Sequence, residues 1–396
     1  MLIKTLTPLL LLALSCLPAA RAGGISKADL GRALFFDPAL SASGTQSCAT
    51  CHAPDKAFTD QRGSGVAAAV SLGGDGHSLG DRNAPTVTYA ALIPDFHRKA
   101  DGTYVGGLFL AGRAKDLAEQ AGGPPLNPIE MAMADKAAVV SVLQKKPFYR
   151  DNLKALYGEA VFADSDSAYA AMTDAIAEFE REPEFATFDS RYDRFLRGEI
   201  ELTPEEELGR TLFFSQQFTN CNICHQLSRS QTDPHETFSN YEYHNIGVPE
   251  NRALRAINGM AGQRDEGLAA NPMADSTDPG LRGRFRTPGL RNVAVTGPYM
   301  HNGVFKDLRT VVLFYNKYNS RAARRQINPE TGEPWGEPEV AENLSLEELE
   351  TGPALDDQRI DALVAFLRAL TDARYEHLLS ETEEAGEAGS TDTAEQ

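Results

Sequence analysis

Beyond residue 22, the 396-residue sequence contains no long apolar run, and it is also short of cysteine, tryptophan and positive charge. A membrane-spanning helix needs about 20 consecutive apolar residues, so the missing run argues against a transmembrane anchor in the mature chain. The 56 acidic residues outnumber the 38 basic ones, and the net charge of −18 opposes nucleic-acid binding and favours partners with a basic face. The hydrophobic content of 42% is typical of a globular protein rather than a disordered one.

Residues 1–22 have the pattern of an export signal. Lys4 provides the positive start, Leu9–Leu14 the short apolar stretch, and Ala20–Ala22 a small-residue cleavage site. The apolar stretch is too short to anchor the chain in a membrane. Cys16 points to a lipoprotein signal as an alternative, but such signals usually have a leucine three positions earlier, and this chain has alanine there. We therefore expect a soluble periplasmic protein, with lipid attachment at Cys16 as the alternative.

Four of the five cysteines stand in two strings of the form Cys-x-x-Cys-His. Two thiols in one turn can form thioether bonds with the vinyl groups of a haem, and the adjoining histidine can reach the iron, so each string predicts one covalently bound haem c. Disulfides and a zinc site are the alternatives, but a zinc site needs a second cysteine pair nearby. The residues that would hold the two haems are Cys48, Cys51 and His52 in the first string and Cys221, Cys224 and His225 in the second.

A repeated phrase divides the chain into two halves. Leu30–Phe36 stands just before the first cysteine pair, and Leu208–Phe214 repeats it almost unchanged before the second. An internal duplication of this kind predicts two related domains with one haem each. We place the N-terminal domain at residues 23–200 and the C-terminal domain at 201–380. The acidic and polar residues 381–396 predict a disordered tail.

Apolar residues recur at helical spacing in three segments, while runs of alternating apolar and polar residues are scarce. The segments are 136–157, which predicts one or two helices, 167–182 and 360–370. Stretches rich in glycine and proline predict long loops, which inside a domain usually wrap a cofactor or form a binding surface. The fold class is therefore mainly α, with long connecting loops at 63–85, 261–288 and 328–338.

Eight short segments, taken in order with the two haem strings, carry a resemblance to a known family. They are Gly31–Asp37, Arg82–Pro85, Leu126–Met131, Phe179–Arg181, Tyr192–Phe195, His244–Pro249, Thr287–Asn292 and Pro298–Gly303. Together they resemble the bacterial di-haem cytochrome c peroxidase and MauG family over nearly the whole mature chain. The resemblance implies two cytochrome c-like domains, each wrapping one covalently bound haem. The N-terminal haem would be the peroxidatic centre, and the C-terminal haem would transfer electrons to it.

The resemblance places the distal acid-base group of the family on Glu130. A carboxylate at this place takes a proton from hydrogen peroxide and returns it to the leaving oxygen. Gln120 and Pro124 match further positions of the distal pocket in the MauG branch. A lone glutamate would more simply be a solvated loop residue, but this one stands within the matching segment Leu126–Met131. We therefore predict Glu130 and Gln120 as catalytic residues.

The resemblance also implies a calcium ion between the halves. Its ligands would be the side chain of Asn83 and the backbone carbonyls of Thr296 and Pro298, with water completing the shell. Oxygen ligands suit a hard cation such as calcium. The alternative is that Asn83 only forms a turn before the following Ala-Pro pair.

The sixth ligand of the second haem distinguishes the branches of the family. Peroxidases place a methionine fourteen residues after the histidine of the Pro-Tyr-x-His string, which is His301 here, and this chain has Tyr315 at that position, as MauG-like proteins do. A phenolate donates more electron density than a thioether and should lower the reduction potential. The alternative is that Tyr315 is a core aromatic residue and Met300 is the ligand.

Two departures limit the analogy. The tryptophan that the family usually has between its haems is replaced by Leu110, and the single tryptophan of the chain, Trp335, stands in a remote loop. This replacement argues against long-range oxidation of a protein substrate. His77 lies near the segment where many peroxidases have a capping histidine, but its spacing to Asn83 is two residues short, so we interpret it as a surface residue.

The sequence leaves three functions open. The leading hypothesis is a peroxidase, in which electrons from a small redox protein, a monohaem cytochrome c or a cupredoxin, enter at the C-terminal haem and reduce hydrogen peroxide at the N-terminal one. The second is a MauG-like oxidase that uses peroxide to modify residues of a partner protein. The third is a non-catalytic electron carrier, which requires both irons to be fully ligated by protein groups.

Overall fold

Helices and loops make up almost all of the computed structural model, which describes residues 24–227, 233 and 235–380. Two antiparallel pairs of two-residue strands are present, β1 (His97–Arg98) with β2 (Tyr104–Val105) and β3 (Tyr243–His244) with β4 (Phe285–Arg286). The predicted mainly α class is confirmed. In chain order, the α-helices of the described residues are α1 (Lys27–Phe35), α2 (Cys48–Cys51), α3 (Leu117–Ala121), α4 (Lys136–Lys145), α5 (Pro147–Tyr157), α6 (Ser165–Glu180), α7 (Arg191–Leu196), α8 (Pro204–Phe214), α9 (Cys221–Cys224), α10 (Arg252–Asn258), α11 (Leu308–Asn316), α12 (Leu346–Leu349) and α13 (Asp357–Arg368).

The segments with helical spacing are helical. The first forms two helices, α4 and α5, because Pro147 disfavours a helical residue before it and is itself suited to the first position of a helix. The second segment lies largely in α6, and the third lies largely in α13. The three predicted long loops, all within the described residues, contain no α-helix.

The predictions for the two ends of the chain remain untested. The export signal with Cys16 and the acidic tail at 381–396 both lie outside the described residues. Among the helices that are described, none has both the length and the apolar character needed to cross a membrane.

Gly31 lets α1 cross α6 at close range. A Cβ atom at this position would lie 1.8 Å from the carbonyl oxygen of Ala175 in α6, so a residue larger than glycine would clash with the backbone. The crossing builds the core of the N-terminal half. Among the residues with full or nearly full burial in this core are Leu30, Leu34, Phe35, Met172 and Ile176.

The C-terminal half repeats this crossing. Gly209 occupies the same place in the repeated phrase, and a Cβ atom there would lie 1.8 Å from the carbonyl oxygen of Ala362 in α13. The duplicated phrase therefore has a physical reason: each half needs a glycine where the helix before its cysteine pair crosses a later helix. The second core includes Leu212, Phe213, Leu363, Phe366 and Leu370.

Polar contacts join the two halves. Arg82 and Asp265 form a bidentate ion pair with both N···O distances at 2.7 Å. The Asn83 amide donates to the His301 carbonyl at 2.8 Å. Tyr192 already packs in the second core, although the predicted boundary lies at residues 200 and 201. The two cores are separate, and the boundary itself stays a prediction.

Candidate haem centres

The first cysteine pair lies on a single helical turn, α2. The His52 amide closes this turn by donating to the Cys48 carbonyl at 2.9 Å. The ring nitrogen Nδ1 of His52 lies 3.2 Å from the carbonyl oxygen of Phe58. With Nδ1 donating to that oxygen, Nε2 is the nitrogen left for a metal, and a second hydrogen bond of this kind is usual for histidine ligands.

The second cysteine pair repeats this geometry on α9. The His225 amide donates to the Cys221 carbonyl at 3.0 Å. Its ring nitrogen Nδ1 lies 3.0 Å from the carbonyl oxygen of Phe238, which again leaves Nε2 for a metal. Both halves thus place two thiols and one oriented imidazole in the same arrangement.

The two carbonyls that orient these histidines were not predicted from the sequence. Phe58 and Phe238 are both buried, and both have left-handed backbone conformations with φ angles of 53° and 59°. A non-glycine residue in this region is uncommon, so both turns are specific features of the fold. A signal was available in the parallel strings Phe58–Asp60 and Phe238–Asn240, since each reads Phe, a hydroxyl residue, then Asp or Asn.

Burial sets the protonation of these groups. It lowers the pKa of His52 and lowers that of His225 to about 4, so both imidazoles are neutral and able to bind a metal. Burial also raises the pKa of Cys48 and of Cys224 to about 12, which keeps these thiols protonated. The four cysteines of the described residues form no disulfide. This donor set fits a haem c in each half.

Glu130 is a half-buried carboxyl in the N-terminal half. The side-chain nitrogen Nδ2 of Asn127 donates to its Oε1 at 2.8 Å. Burial raises the pKa of Glu130, while the charge of Arg113 and the hydrogen bond from Asn127 oppose the rise. The guanidinium of Arg113 lies 3.6 Å from the centre of the Phe109 ring. Burial is the larger effect, so the net pKa is raised and the carboxyl keeps its proton to a higher pH than an exposed glutamate does.

A short series of contacts joins Glu130 to the first cysteine pair. The Gly74 amide donates to the Glu130 carbonyl at 2.7 Å. A Cβ atom at Gly74 would lie 2.8 Å from Oε1 of Gln46, and Nε2 of the same glutamine lies 3.3 Å from Sγ of Cys51. The carboxyl and the candidate haem attachment therefore belong to one region of the N-terminal half.

Gln120 and Pro124 precede Glu130 by ten and six residues in the sequence. Gln120 lies in α3, and its carbonyl accepts a hydrogen bond from the Gly123 amide at 3.0 Å. The Pro124 carbonyl accepts from the amide of Met131, the residue after Glu130, at 3.3 Å. The three residues predicted for the distal pocket thus lie in one neighbourhood, and their roles stay predictions.

Tyr315 lies on α11 near the second cysteine pair. Burial raises the pKa of its phenol, and the next largest causes are the negative charges that Cys224 and Cys221 can carry. Tyr315 therefore lies within electrostatic range of the second cysteine pair. Met300 has a left-handed φ of 68° in a turn that the Tyr299 amide closes by donating to the Phe305 carbonyl at 2.7 Å. Which of the two residues ligates the iron stays a prediction.

The predicted calcium ligands come from segments that touch. The Asn83 amide bonds to His301, three residues after Pro298, as described above. The side-chain nitrogen Nδ2 of Asn83 donates to the Ala69 carbonyl at 3.3 Å, which leaves its Oδ1 for another partner. Within the described residues no group of three or more His, Cys, Asp and Glu could hold a metal, so a calcium site would depend on amide and carbonyl oxygens.

Trp335 stands in a loop, as the sequence indicates, and this loop packs against α11. The centre of the Trp335 ring lies 5.5 Å from that of Phe314, the neighbour of Tyr315. Leu110 lies where the halves meet, and its carbonyl accepts a hydrogen bond from the Arg286 amide at 2.9 Å.

His77 is exposed in a turn that Asp75 closes by accepting from the His77 amide at 2.8 Å.

Glu180, at the end of α6, is a buried carboxyl with no predicted role of its own. It is 3% exposed, and its Oε2 has no hydrogen-bond partner among the described residues. Burial raises the pKa of Glu180 to about 8, against an opposing effect of Arg181. Its charge acts on Cys48, so the group lies within electrostatic range of the first candidate haem attachment. The Phe-Glu-Arg string marked this position, but burial cannot be read from the string.

We expect Glu180→Gln to remove a pH dependence of stability. The folded carboxyl keeps its proton up to about pH 8, whereas the unfolded one releases it near its ordinary value of 4.5. The folded state thus binds more protons between these limits, so the free energy of unfolding falls as the pH rises, by at most about 1.4 kcal/mol per pH unit. Thermal unfolding of the haem-loaded protein from pH 5 to pH 8 should show the variant becoming relatively more stable.

Glu182→Gln, at an exposed position of the same segment, is the matched control and should follow the wild type. Parallel curves for the wild type and Glu180→Gln would contradict the expectation.

Fold and donor sets together define a c-type cytochrome with two haem centres. Residues 25–201 match the family described as di-haem cytochrome c peroxidase. The methylamine utilization protein MauG of Paracoccus denitrificans is 55% identical over 92% of this chain and 94% of its own length. The cytochrome c peroxidase Ccp of Escherichia coli is 32% identical over 74% of this chain and 53% of its own. The chain therefore belongs to the di-haem cytochrome c peroxidase and MauG family.

Solved structures agree with this assignment. The crystal structure of the diheme peroxidase BthA from Burkholderia thailandensis has a TM-score of 0.76 at 35% identity, covering 88% of this chain and 86% of that one. A MauG-like protein associated with microbial copper homeostasis has a TM-score of 0.63 at 31% identity, covering 88% and 92%. The fold is thus that of two cytochrome c-like domains. As a family member the chain carries two haem c groups and is an oxidoreductase of the peroxidase type.

Proposed function

We propose that this protein is a periplasmic di-haem peroxidase that reduces hydrogen peroxide with electrons entering at the C-terminal haem. The observation that carries the proposal is Glu130, a half-buried carboxyl held by Asn127 in the region of the first haem attachment. When bound, the N-terminal haem supplies an iron that can bind peroxide and pass electrons to it. The chain itself must then supply a group that moves protons between the two oxygens of peroxide.

Glu130 suits that task because its carboxyl can take up and release a proton. Burial favours the protonated form, and the nearby charge of Arg113 favours the ionised form. A group balanced in this way can accept the proton of the attacking peroxide and return it to the departing oxygen. Asn127 keeps the carboxyl in place through its hydrogen bond to Oε1.

The C-terminal half offers a surface for the electron donor beside its cysteine pair. Asn220, directly before Cys221, donates to the carbonyl of Glu348 at 2.8 Å and so connects the pair to α12. The apolar side chains of Phe218 and Leu346 are 45% and 41% exposed in these same segments. Exposed apolar groups beside acidic ones suit the basic face of a monohaem cytochrome c or a cupredoxin.

A calcium ion between the halves is part of the proposal. Its ligands would be Oδ1 of Asn83 and the carbonyl oxygens of Thr296 and Pro298. The hydrogen bond between Asn83 and His301, which brings the two segments together, supports it.

A MauG-like oxidase is the second candidate function. The 55% identity to MauG and the tyrosine at position 315 favour it. Leu110 opposes it, because a leucine cannot relay an electron or a hole between haems as a tryptophan ring can. The third function, an electron carrier, requires both irons to be closed by protein ligands.

Electron paramagnetic resonance of the oxidised protein, followed by peroxide addition, tests the proposal. We expect a high-spin ferric signal from one haem, loss of this signal with peroxide, and steady oxidation of a reduced monohaem cytochrome c. Two low-spin haems that ignore peroxide even after one-electron reduction would instead indicate a carrier. Consumption of peroxide without cytochrome c oxidation would favour the MauG-like function, and Leu110→Trp should then increase oxidation of a partner protein.

A further inference from the structure

Arg286, on strand β4, is a buried cation for which the described residues provide no carboxylate. Its side chain is 5% exposed, and its Nε has no hydrogen-bond partner. Within the described part of the chain, the Arg286 side chain makes one hydrogen bond, in which Nη1 donates to the Thr287 carbonyl at 3.3 Å. Arginine does not lose its charge in a protein, so a buried guanidinium without a counter-ion is strongly unfavourable.

The other buried arginines of the described residues all have a carboxylate. Arg255 pairs with Asp81 at 2.9 Å and with Glu339 at 2.6 Å. The remaining pairs are Arg291 with Asp193 at 2.5 Å and Arg325 with Asp357 at 2.8 Å. Each of these three buried arginines is thus paired with at least one carboxylate of the chain. Among the described residues Arg286 is the buried arginine that departs from this rule, so its anion comes from a group that these residues do not include.

The position of Arg286 points to the second haem centre. Its guanidinium lies 5.6 Å from the centre of the Tyr241 ring. The loop that contains this tyrosine also contains Asn240, whose amide donates to the Cys224 carbonyl at 2.9 Å. The carbonyl next to Arg286, that of Thr287, accepts a hydrogen bond from Ser239 of the same loop at 2.8 Å. The arginine therefore borders the loop that surrounds the second haem attachment.

A second arginine without a carboxylate stands two residues earlier. Arg284 is half-buried, and its Nε also has no partner among the described residues. Arg284 stands directly before β4 and forms an isolated bridge with Gly267, which continues the extended backbone, and alternate residues of such a segment point to the same side, so Arg284 and Arg286 share one face. Phe285 points to the other face, where its ring stacks on His301 with centres 3.7 Å apart. The extended segment 284–286 thus carries two cations at alternate positions, which suits a ligand with two carboxylates.

Two of the three acidic groups that line the cavity beside Arg284 have partners, and the third is Glu347. Arg284 lines a cavity of about 310 Å³ together with Glu242 and Glu348. Glu242 is paired with Lys99 at 2.6 Å, and an oxygen of Glu348 lies 3.5 Å from Nδ1 of His244. Neither carboxylate forms an ion pair with the two arginines. Within the described residues Arg286 therefore keeps a positive charge without a carboxylate next to the loop of the second cysteine pair, although the cavity beside Arg284 contains carboxylates.

We propose that Arg286 and Arg284 bind the two propionate carboxylates of the haem attached at Cys221 and Cys224. The inference rests on the presence of that haem and not on the reaction the protein catalyses. Two cations beside the propionates offset negative charge next to the iron, so the added electron is repelled less and the reduction potential is higher. Arg286 also bonds through its amide to Leu110 of the N-terminal half, which places this charged contact where the halves meet.

The test is the reduction potential of the C-terminal haem in Arg286→Gln and Arg284→Gln, measured by spectroelectrochemistry from pH 5 to pH 8. At a fixed ambient potential we expect each variant to show a fall of about tenfold in the ratio of reduced to oxidised haem, equivalent to about 59 mV. The wild-type potential should change little with pH, because paired propionates stay ionised. In Arg286→Gln the potential should fall as the pH rises, because the released propionate titrates.

Controls separate charge from structure. Arg286→Lys keeps the charge and should keep most of the potential, and Arg325→Gln removes a buried arginine that has its own carboxylate, so it should affect stability only. Unchanged potentials in both glutamine variants at full haem content would overturn the inference. If the Arg286→Gln protein does not fold well enough to be purified, the potential of Arg284→Gln tests the inference. The Arg284 side chain is partly exposed and is not needed for the core. A wild type with fewer than two haems would instead contradict the cofactor assignment.

Discussion

Replacing Glu130 with glutamine should lower peroxide-dependent turnover by about two to four orders of magnitude, the usual contribution of a general acid-base group. Glutamine keeps the size of the side chain and can still bond to Asn127, but it cannot accept and return a proton. The haem content and the spin states of the oxidised protein should stay as in the wild type. The rate of oxidation of a reduced monohaem cytochrome c at saturating peroxide measures the loss.

Glu159→Gln is the matched control, because Glu159 is an exposed carboxyl of the same half that pairs with Lys154 at the surface. Its turnover should match the wild type. A Glu130→Gln protein with normal haem spectra and more than about a tenth of wild-type turnover would exclude this residue as the proton carrier. The peroxidase proposal would then need another acid-base group near the first cysteine pair.

Tyr315→Met should raise the reduction potential of the C-terminal haem by roughly a few tenths of a volt, within the span of about 0.8 V that axial ligands cover. A thioether donates less electron density than a phenolate and stabilises the reduced iron. The near-infrared and paramagnetic resonance spectra should change from those of a histidine and tyrosine pair to those of a histidine and methionine pair. Spectroelectrochemistry of the two haems measures the shift.

Tyr318→Phe is the control for this change, since Tyr318 follows the same helix and donates to the Ile246 carbonyl at 2.9 Å. It should leave the potential in place. If Tyr315→Met leaves the potential unchanged while Met300→Leu shifts it, Met300 is the ligand and Tyr315 is a packing residue. The peroxide turnover of the Tyr315→Met and Met300→Leu variants then shows whether the axial ligand also affects the rate of peroxide reduction.

Local motifs explain how much of the site could be predicted. The two haem strings are contiguous because the attachment chemistry needs its thiols and imidazole within one turn, so they can be read without a structure. The repeated phrase could be recognised in the same way, and its glycines turned out to sit at equivalent helix crossings. Glu130 could be predicted only because its segment resembles that of a known family.

Contacts between distant parts of the chain could not be predicted. The Phe58 and Phe238 carbonyls orient the histidines through left-handed turns, whose conformations depend on the packing around them. The pKa of Glu180 follows from burial, and burial is a property of the assembled core rather than of the Phe-Glu-Arg string. Trp335 looked remote because its loop is distant in the sequence, yet it packs beside α11.

The sequence by itself determined the covalent chemistry of the protein and its division into two related halves, because both depend on short contiguous patterns. The tertiary structure alone decided which carboxyls are buried, which arginines have no carboxylate, and how the segments of the two halves meet. The physical reason is that protonation and ion pairing depend on what surrounds a group in space, and those neighbours come from positions far apart along the chain.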